Sequence, residues 1–515
     1  MTVHTRREFL GDVGKGMILA SVGATLAGEL GIRAAIAGSS DDLLSFGPLE
    51  PLASLMQETP PARLQPLLVE KLRSGVDLRT LTAAGALANA RTFGGQDYDG
   101  YHAFMAMMPA YEMTKELPED KRALPILKVL YRNASFMQTH GGRSHEVLHR
   151  VGIDAATEPG GGELLRSHLR KREMNQAERA FAKMADKDID EAYNNLQFMV
   201  QETIDVHQVV LAWRAWETLQ LTGAQHAHTL LRTSVRHCVD REESRVTHGR
   251  PEPKIRKVLP AVLDRHRLLS RPVGTREADD RWVDELSFVI FKGSREEAAD
   301  AVGAALAEEF SPDSIGEAIS LAANRLLLHD PGRSEAASED KPRGSVHGAS
   351  VGVHACDSAN AWRHIAKVTN HRNAVASLVI GAYHTAGQMR HVRESILPFA
   401  ELSGAIATVD GNALLAETES AIRDKDQARV CAVVDRYGGL GHGPRPLFDL
   451  LLKYAISEDG ALHAEKYYRT VAEEFRTSRP AFRWRQLTAL ARVTASEYGF
   501  PAPGREQAQE LLGIT

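Results

Sequence analysis

The chain has 515 residues, 43% of them hydrophobic and 25% charged, with a formal net charge of -5. This is ordinary globular composition, long enough to bury a large core, and the acidic balance argues against a nucleic-acid binder, which is usually basic. Three cysteines, Cys238, Cys356 and Cys431, form no C-x-x-C pair, which excludes c-type haem attachment and thiolate zinc modules, whereas 21 histidines make histidine the residue type to follow.

In chain order, Thr5-Arg6-Arg7-Glu8-Phe9-Leu10 is the twin-arginine pattern followed by a bulky apolar pair. Residues 17–28 form an Ala- and Gly-rich apolar run too short to span a bilayer, and Ala35-Ile36-Ala37 fits the small-x-small rule of signal peptidase. Residues 1–37 are therefore expected to be a twin-arginine signal peptide, recognised by the twin-arginine export machinery and delivering residues 38–515 to the periplasm. No later segment has eighteen consecutive apolar residues, so no membrane span is expected in the mature chain. Apolar residues then recur at three- and four-residue spacing over 64–87, 101–113, 124–136, 173–199 and 203–221. The same spacing continues over 298–309, 314–328, 359–368, 374–386, 391–407, 447–456, 462–475 and 483–495. No run of alternating β-branched residues interrupts it. The pattern predicts an all-α fold of stacked helix pairs, a multi-helix bundle or an irregular α-solenoid. Glycine-rich turns are expected at 158–162 and 438–444, and an exposed polar loop at 330–352. A single mature domain is expected, with extra N-terminal helices over 45–137 and any seam near the 330–352 loop.

Two short motifs carry chemistry. His145-Glu146-Val147-Leu148-His149 matches H-E-x-x-H, which in zinc proteases puts two imidazoles on one helix face with the Glu as general base. Ser144 reads as an N-cap, so the pair would lie in a first helical turn, but no third ligand and no substrate-holding strand is evident. Gly348-Ala349-Ser350-Val351-Gly352 matches G-x-S-x-G, yet it follows a polar loop where a nucleophile elbow needs a strand. Four further stretches each set a histidine at or near the start of an apolar helix: His140 with Glu146 and Leu148, His207, His354 with Ala361 and Arg363, and His463 with Lys466. A lone histidine in that setting is commonly a hydrogen-bonded core residue. His463 and Lys466, three apart, project from one helix face.

Taken in order, these four stretches resemble the signature of the questin oxidase-like family over residues 139–475. Members of that family are helical oxygenases acting on polycyclic quinones, with a non-haem iron held by four His and a carboxylated Lys. The resemblance implies His140, His207, His354 and His463 as imidazole ligands and Lys466 as the carbamate. The third stretch departs from the family pattern, reading His-Ala-Cys-Asp where the family has His-x-Val-Thr. His102, another histidine at a helix start, is the alternative to His140 as first ligand. His145 and His149 facing the same site would make a two-metal or otherwise altered centre. The chemistry is coherent: imidazole suits iron, and a lysine desolvated among apolar groups loses its proton and can take up CO2.

The sequence thus points to an exported metal-dependent oxidoreductase, a non-haem iron oxygenase using Fe(II) on an aromatic or quinone-like small molecule. The alternatives are a zinc metallohydrolase built on His145, Glu146 and His149, and a non-catalytic helical scaffold.

Overall fold

The computed structural model describes residues 43–152, 161–339, 341–346, 350–392 and 399–514. The expected signal segment 1–37 lies outside the described residues, as do Glu158, Pro159 and Gly160 of the first glycine-rich turn and Gly348 and Ala349 of the G-x-S-x-G motif. Among the described residues there are 23 α-helices and no strand, so the fold is all-α.

The chain forms two compact units, where the sequence suggested one domain with a seam at 330–352. The first runs to Pro253 and takes back the stretch from Pro503; the second is Lys254–Ala502. The crossings fall at Pro251-Glu252-Pro253 and Pro501-Ala502-Pro503. Proline has no N–H to continue a helix and restricts the residue before it.

The first unit holds α1 (Glu50–Glu58), α2 (Pro61–Arg73), α3 (Leu78–Phe93), α4 (Tyr98–Thr114), α5 (Leu124–His140), α6 (Gly162–Lys171), α7 (Met174–Lys187), α8 (Ile189–Val200), α9 (Val206–Thr222) and α10 (Ala227–Thr247). The last helix of the chain, Arg505–Leu512, packs on α2 and α5. Helix α3 is its centre. Residues 81–93 are all buried, and their many Ala side chains let α1, α4, α5 and α9 close around them.

The second unit holds α11 (Ile255–Arg265), α12 (Asp280–Lys292), α13 (Arg295–Ala307), α14 (Pro312–Leu328), α15 (Val351–Val368), α16 (His371–Thr385), α17 (Phe399–Ala405), α18 (Gly411–Arg423), α19 (Gln427–Gly439), α20 (Pro444–Ser457), α21 (His463–Thr477) and α22 (Arg483–Glu497). Helix α15 packs between α14 and α16 and on α21, and α21 packs on α20 and α22. The G-x-S-x-G motif is explained by that packing. Ser350 caps α15, its hydroxyl accepting from the Val353 N–H at 3.2 Å. Gly352 lies so close to α14 that a Cβ there would sit 2.3 Å from Leu327 Cα.

The 330–352 segment is not the exposed loop its polar composition suggests. Asp330, Ser345 and Val346 are buried. The Arg492 guanidinium donates to the carbonyls of Leu327 and Asp330. The Val346 N–H donates to Ser496 at 2.9 Å, and Gln427 donates to the Gly344 carbonyl at 2.8 Å. Among its described residues, 334–339 and Arg343 are exposed.

One half-buried histidine of the first unit bears on stability. His228 in α10 stacks on Phe181 at 6.1 Å, and burial, helped by Arg232, pushes its pKa down to about 4. The folded pKa lies below the ordinary imidazole value of about 6.5, so the folded state favours the neutral ring. That stabilisation is complete above pH ~6.5 and is lost as pH falls towards 4, about 3 kcal/mol in all. Denaturant unfolding at pH 7 and pH 4.5 is expected to show this loss in the wild type, and His228→Phe to reduce it.

Candidate functional site

In the first unit the site begins with two capped helix starts. Asp97 caps α4 through the Gly100 N–H at 2.9 Å, and Asp205 caps α9 through the N–H groups of His207 and Gln208 at 2.8 and 3.1 Å. These caps put His102 in the second turn of α4 and His207 at the start of α9. Their ring centroids are 4.8 Å apart. Tyr101 lies 5.3 Å from His207 and 4.9 Å, edge to face, from His237 of α10. Tyr98, 57% exposed, lies against His102 with ring centroids 4.2 Å apart and the planes tilted by 39°, and forms the outer side of the group.

Each imidazole is oriented through Nδ1. That nitrogen of His102 lies 2.7 Å from the Tyr98 carbonyl, that of His237 2.9 Å from the Gly95 carbonyl, and that of His207 3.4 Å from Asp205 Oδ1. An oxygen accepting at Nδ1 makes it the protonated nitrogen and leaves the lone pair on Nε2. Gly95 is the only residue type that fits its position, since a Cβ there would sit 2.2 Å from the Thr233 carbonyl oxygen. Its φ of +79° lies in the left-handed region. Burial alone would raise the Asp205 carboxyl. The hydrogen bond from His207 and the nearby His237 and Arg241 outweigh it and hold the carboxyl well below the usual range. Burial lowers the His237 pKa, against the opposing pull of Asp205 and of the Gly95 carbonyl.

The second unit carries a matching pair. His354, in the first turn of α15, and His463, the first residue of α21, have ring centroids 6.2 Å apart. Three buried polar contacts lock these helices together. Thr470 donates to Asp357 at 2.8 Å, Asn360 donates to Glu474 at 2.9 Å, and Arg363 pairs with Glu474. His463 follows a strained turn in which Gly460, Ala461 and Leu462 all have positive φ, at 54°, 45° and 64°. For the two non-glycine residues that costs about 1–3 kcal/mol each. The turn brings the Ala461 carbonyl to 3.1 Å from His463 Nδ1, again aiming Nε2 away. Lys466, one turn on, is buried and does not reach solvent. Beside it, the Cys356 thiol contacts the Tyr467 hydroxyl, and burial pushes both pKa values up, so both stay protonated.

The sequence-predicted ligands therefore fall into two groups. His102 and His207 are neighbours in the first unit, and His354, His463 and Lys466 belong to the second. His140 ends α5 with its ring against Phe93 at 5.0 Å, so His102 is the histidine beside His207. His237 and Asp205 were not anticipated. Asp205, two residues before His207 at a helix start, was legible as a cap; His237 lies inside a helix whose polar residues hide its apolar stripe. Among the described residues no three His, Cys, Asp or Glu side chains are grouped so as to hold a metal ion.

The H-E-x-x-H motif is not on a helix. Residues 142–145 form a single 3-10 turn and 146–148 are extended. The N–H groups of Val147 and Leu148 both donate to the Arg91 carbonyl at 3.0 Å, which fixes that path. Ser144 does not cap a helix; its hydroxyl donates to the Gly141 carbonyl at 2.6 Å. His145 and His149 are exposed. Glu146 is buried between Arg91 at 3.2 Å and Arg143 at 3.4 Å, as counter-ion to both. Comparison with protein-family models, curated proteins and solved structures finds no match for this chain.

Glu146→Gln should lower stability by about 1–3 kcal/mol, by withdrawing charge from two guanidinium groups. It should leave bound metal unchanged, as read by thermal melts and elemental analysis of one preparation. Loss of zinc in that variant would restore the hydrolase reading.

Proposed function

We propose that the protein is an exported metal-dependent oxidoreductase, a non-haem iron oxygenase acting on an aromatic or quinone-like small molecule. One observation carries the reading: His102, His207 and His463 each turn Nδ1 to an oxygen, which makes Nε2 the lone-pair nitrogen. That is the arrangement by which protein groups fix the tautomer of metal-ligating histidines. Imidazole nitrogens suit iron as they suit zinc, and the strained turn before His463 is the kind of cost that persists at working sites.

Taken unit by unit, the residues that would hold metal are His102 and His207 in the first, and His354 and His463 with Lys466 in the second. Iron bound by them would supply the binding and activation of dioxygen. The chain's own part is to present oriented nitrogens, to keep water from His102 and His463, which are 3% and 7% exposed, and to offer the outer face of Tyr98 to a flat ligand. A neutral, buried Lys466 amine could add CO2 to give an anionic oxygen donor.

Elemental analysis of the purified full chain tests the reading. Iron is expected in the wild type and should be lost in His207→Ala and in His463→Ala. A wild type without metal, or variants that keep it, would leave the helical scaffold as the better description. Export through the twin-arginine route rests on Arg6, Arg7 and the small-residue site at 35–37. Replacing both arginines by lysine should hold the precursor in the cytoplasm, and continued periplasmic recovery would refute that route.

A further inference from the structure

We propose that residues 503–514 form a detachable strap. They undock from the first unit as one piece while the rest of that unit stays folded, and so uncover the face of α2 and α5 that carries Tyr131.

The chain changes character at Ala502. Just before it, residues 499–502 are clamped. Glu458 Oε2 accepts from the N–H groups of Gly499 and Phe500 at 2.9 and 2.8 Å. The Asp459 N–H donates to the Phe500 carbonyl at 2.7 Å, and the Ala502 N–H donates to the Ser457 carbonyl at 2.9 Å. The Lys425 ammonium lies 4.8 Å from the centre of the Phe500 ring. Glu458 is buried, and hydrogen bonds to a carboxylate are the strong kind.

From Pro503 on, the hold is light. The helix Arg505–Leu512 buries one residue, Ala508. Helix α6, the least buried of the other helices in the unit, covers three: Gly162, Leu165 and Leu169. Leu511, Leu512 and Ile514 are half-covered. Two side chains reach across, Gln507 donating to the Ala62 carbonyl at 3.0 Å and Arg73 of α2 to the Leu511 carbonyl. Both bonds are exposed, where water competes for the same groups. The helix has eight residues, and Gly504 before it supplies no side-chain cap. So short a helix does not persist in water without packing, so undocking and unwinding are one event.

A glycine closes the strap. Gly504 has φ +75°, in the left-handed region, and a Cβ there would sit 2.4 Å from Tyr131 Cδ2 of α5. The backbone at 504 rests on that ring, and a residue with a Cβ does not fit the place. The nearest atoms such a Cβ would meet all belong to Tyr131. A side chain at 504 therefore lifts the strap and leaves the packing between α2 and α5 alone.

Hydrogen–deuterium exchange of the full chain, read by mass spectrometry, tests the proposal. At pH 7, peptides within 504–514 should exchange at least about tenfold faster than the core peptides of α2 and α5, because a piece that opens locally exchanges ahead of the unit it sits on. Gly504→Ala should speed the strap by a further ~5- to 10-fold, with the α2 and α5 core peptides and the thermal melt as in the wild type. Strap peptides as well protected as those of α2 and α5 would overturn the proposal from the wild type alone, whether or not the variant folds. A Gly504→Ala chain in which α2 and α5 lose protection together with the strap would also overturn it, since 503–514 would then belong to the same cooperative body.

Discussion

A guanidinium taken out of water needs oxygens to accept from its N–H groups, and that requirement sets the path of loops in both units. Arg91, Arg232 and Arg492 are among the largest fully buried side chains. Arg91 reaches the Leu44 carbonyl, Gln57, Glu50 and Glu146, and so draws the segment before α1 and the segment after α5 onto α3. Arg232 takes the His149 carbonyl at 2.9 Å, which closes the far end of that second segment. Arg492 takes two carbonyls at the end of α14 and the Gln427 side chain. An unpaired buried charge costs several kcal/mol, so these loops are held far more firmly than their polar composition implies.

The same logic at lower charge arranges the histidines. A buried imidazole has one nitrogen that wants a donor and one that wants an acceptor. At His102 and His237 a main-chain carbonyl settles which is which, at His463 a carbonyl delivered by a strained turn does so, and at His207 a carboxylate. Two buried polar helices, α15 and α21, are fastened through Asp357, Asn360, Arg363 and Glu474 before their histidines can be neighbours. Positioning is thus built from polar pairs inside a helical core, where each pair must be complete to be tolerated.

What was legible in the sequence was whatever follows from local period and capping. The helices carrying His102 and His207 stand out by their apolar spacing, and Asp97 and Asp205 mark their starts. The apparent span 173–199 is two helices because Asp188 leaves helical geometry and caps the second, accepting from the Glu191 N–H at 3.0 Å. Helix α10 was not legible: Thr229, Arg232, Thr233, Ser234 and His237 are buried on it, so its inward face reads as polar. The start of α15 was hidden for the same reason by Asp357, Ser358 and Asn360. Apolar spacing finds helices that pack through hydrocarbon, and it is blind to helices that pack through hydrogen bonds. In this chain the second kind carries His237 and His354. The H-E-x-x-H string shows the converse error, a helical motif drawn straight because two of its N–H groups are claimed by the Arg91 carbonyl.

The difference between a carbonyl and a carboxylate at Nδ1 separates the imidazoles chemically. A carbonyl dipole orients a ring without setting a full charge beside it. A carboxylate beside Nδ1, as Asp205 is at 3.4 Å from His207, adds a full negative charge on that side of the ring. His207 is the one member of its pair so treated, and it is also half-buried where His102 is fully covered. Within that pair the His207 ring as a whole is the more accessible, although Nε2 of both rings is buried. His102, deeply buried on its carbonyl tether, stands beside it, so the same hydrogen-bonding need is met in one ring by the main chain and in its neighbour beside a side-chain charge.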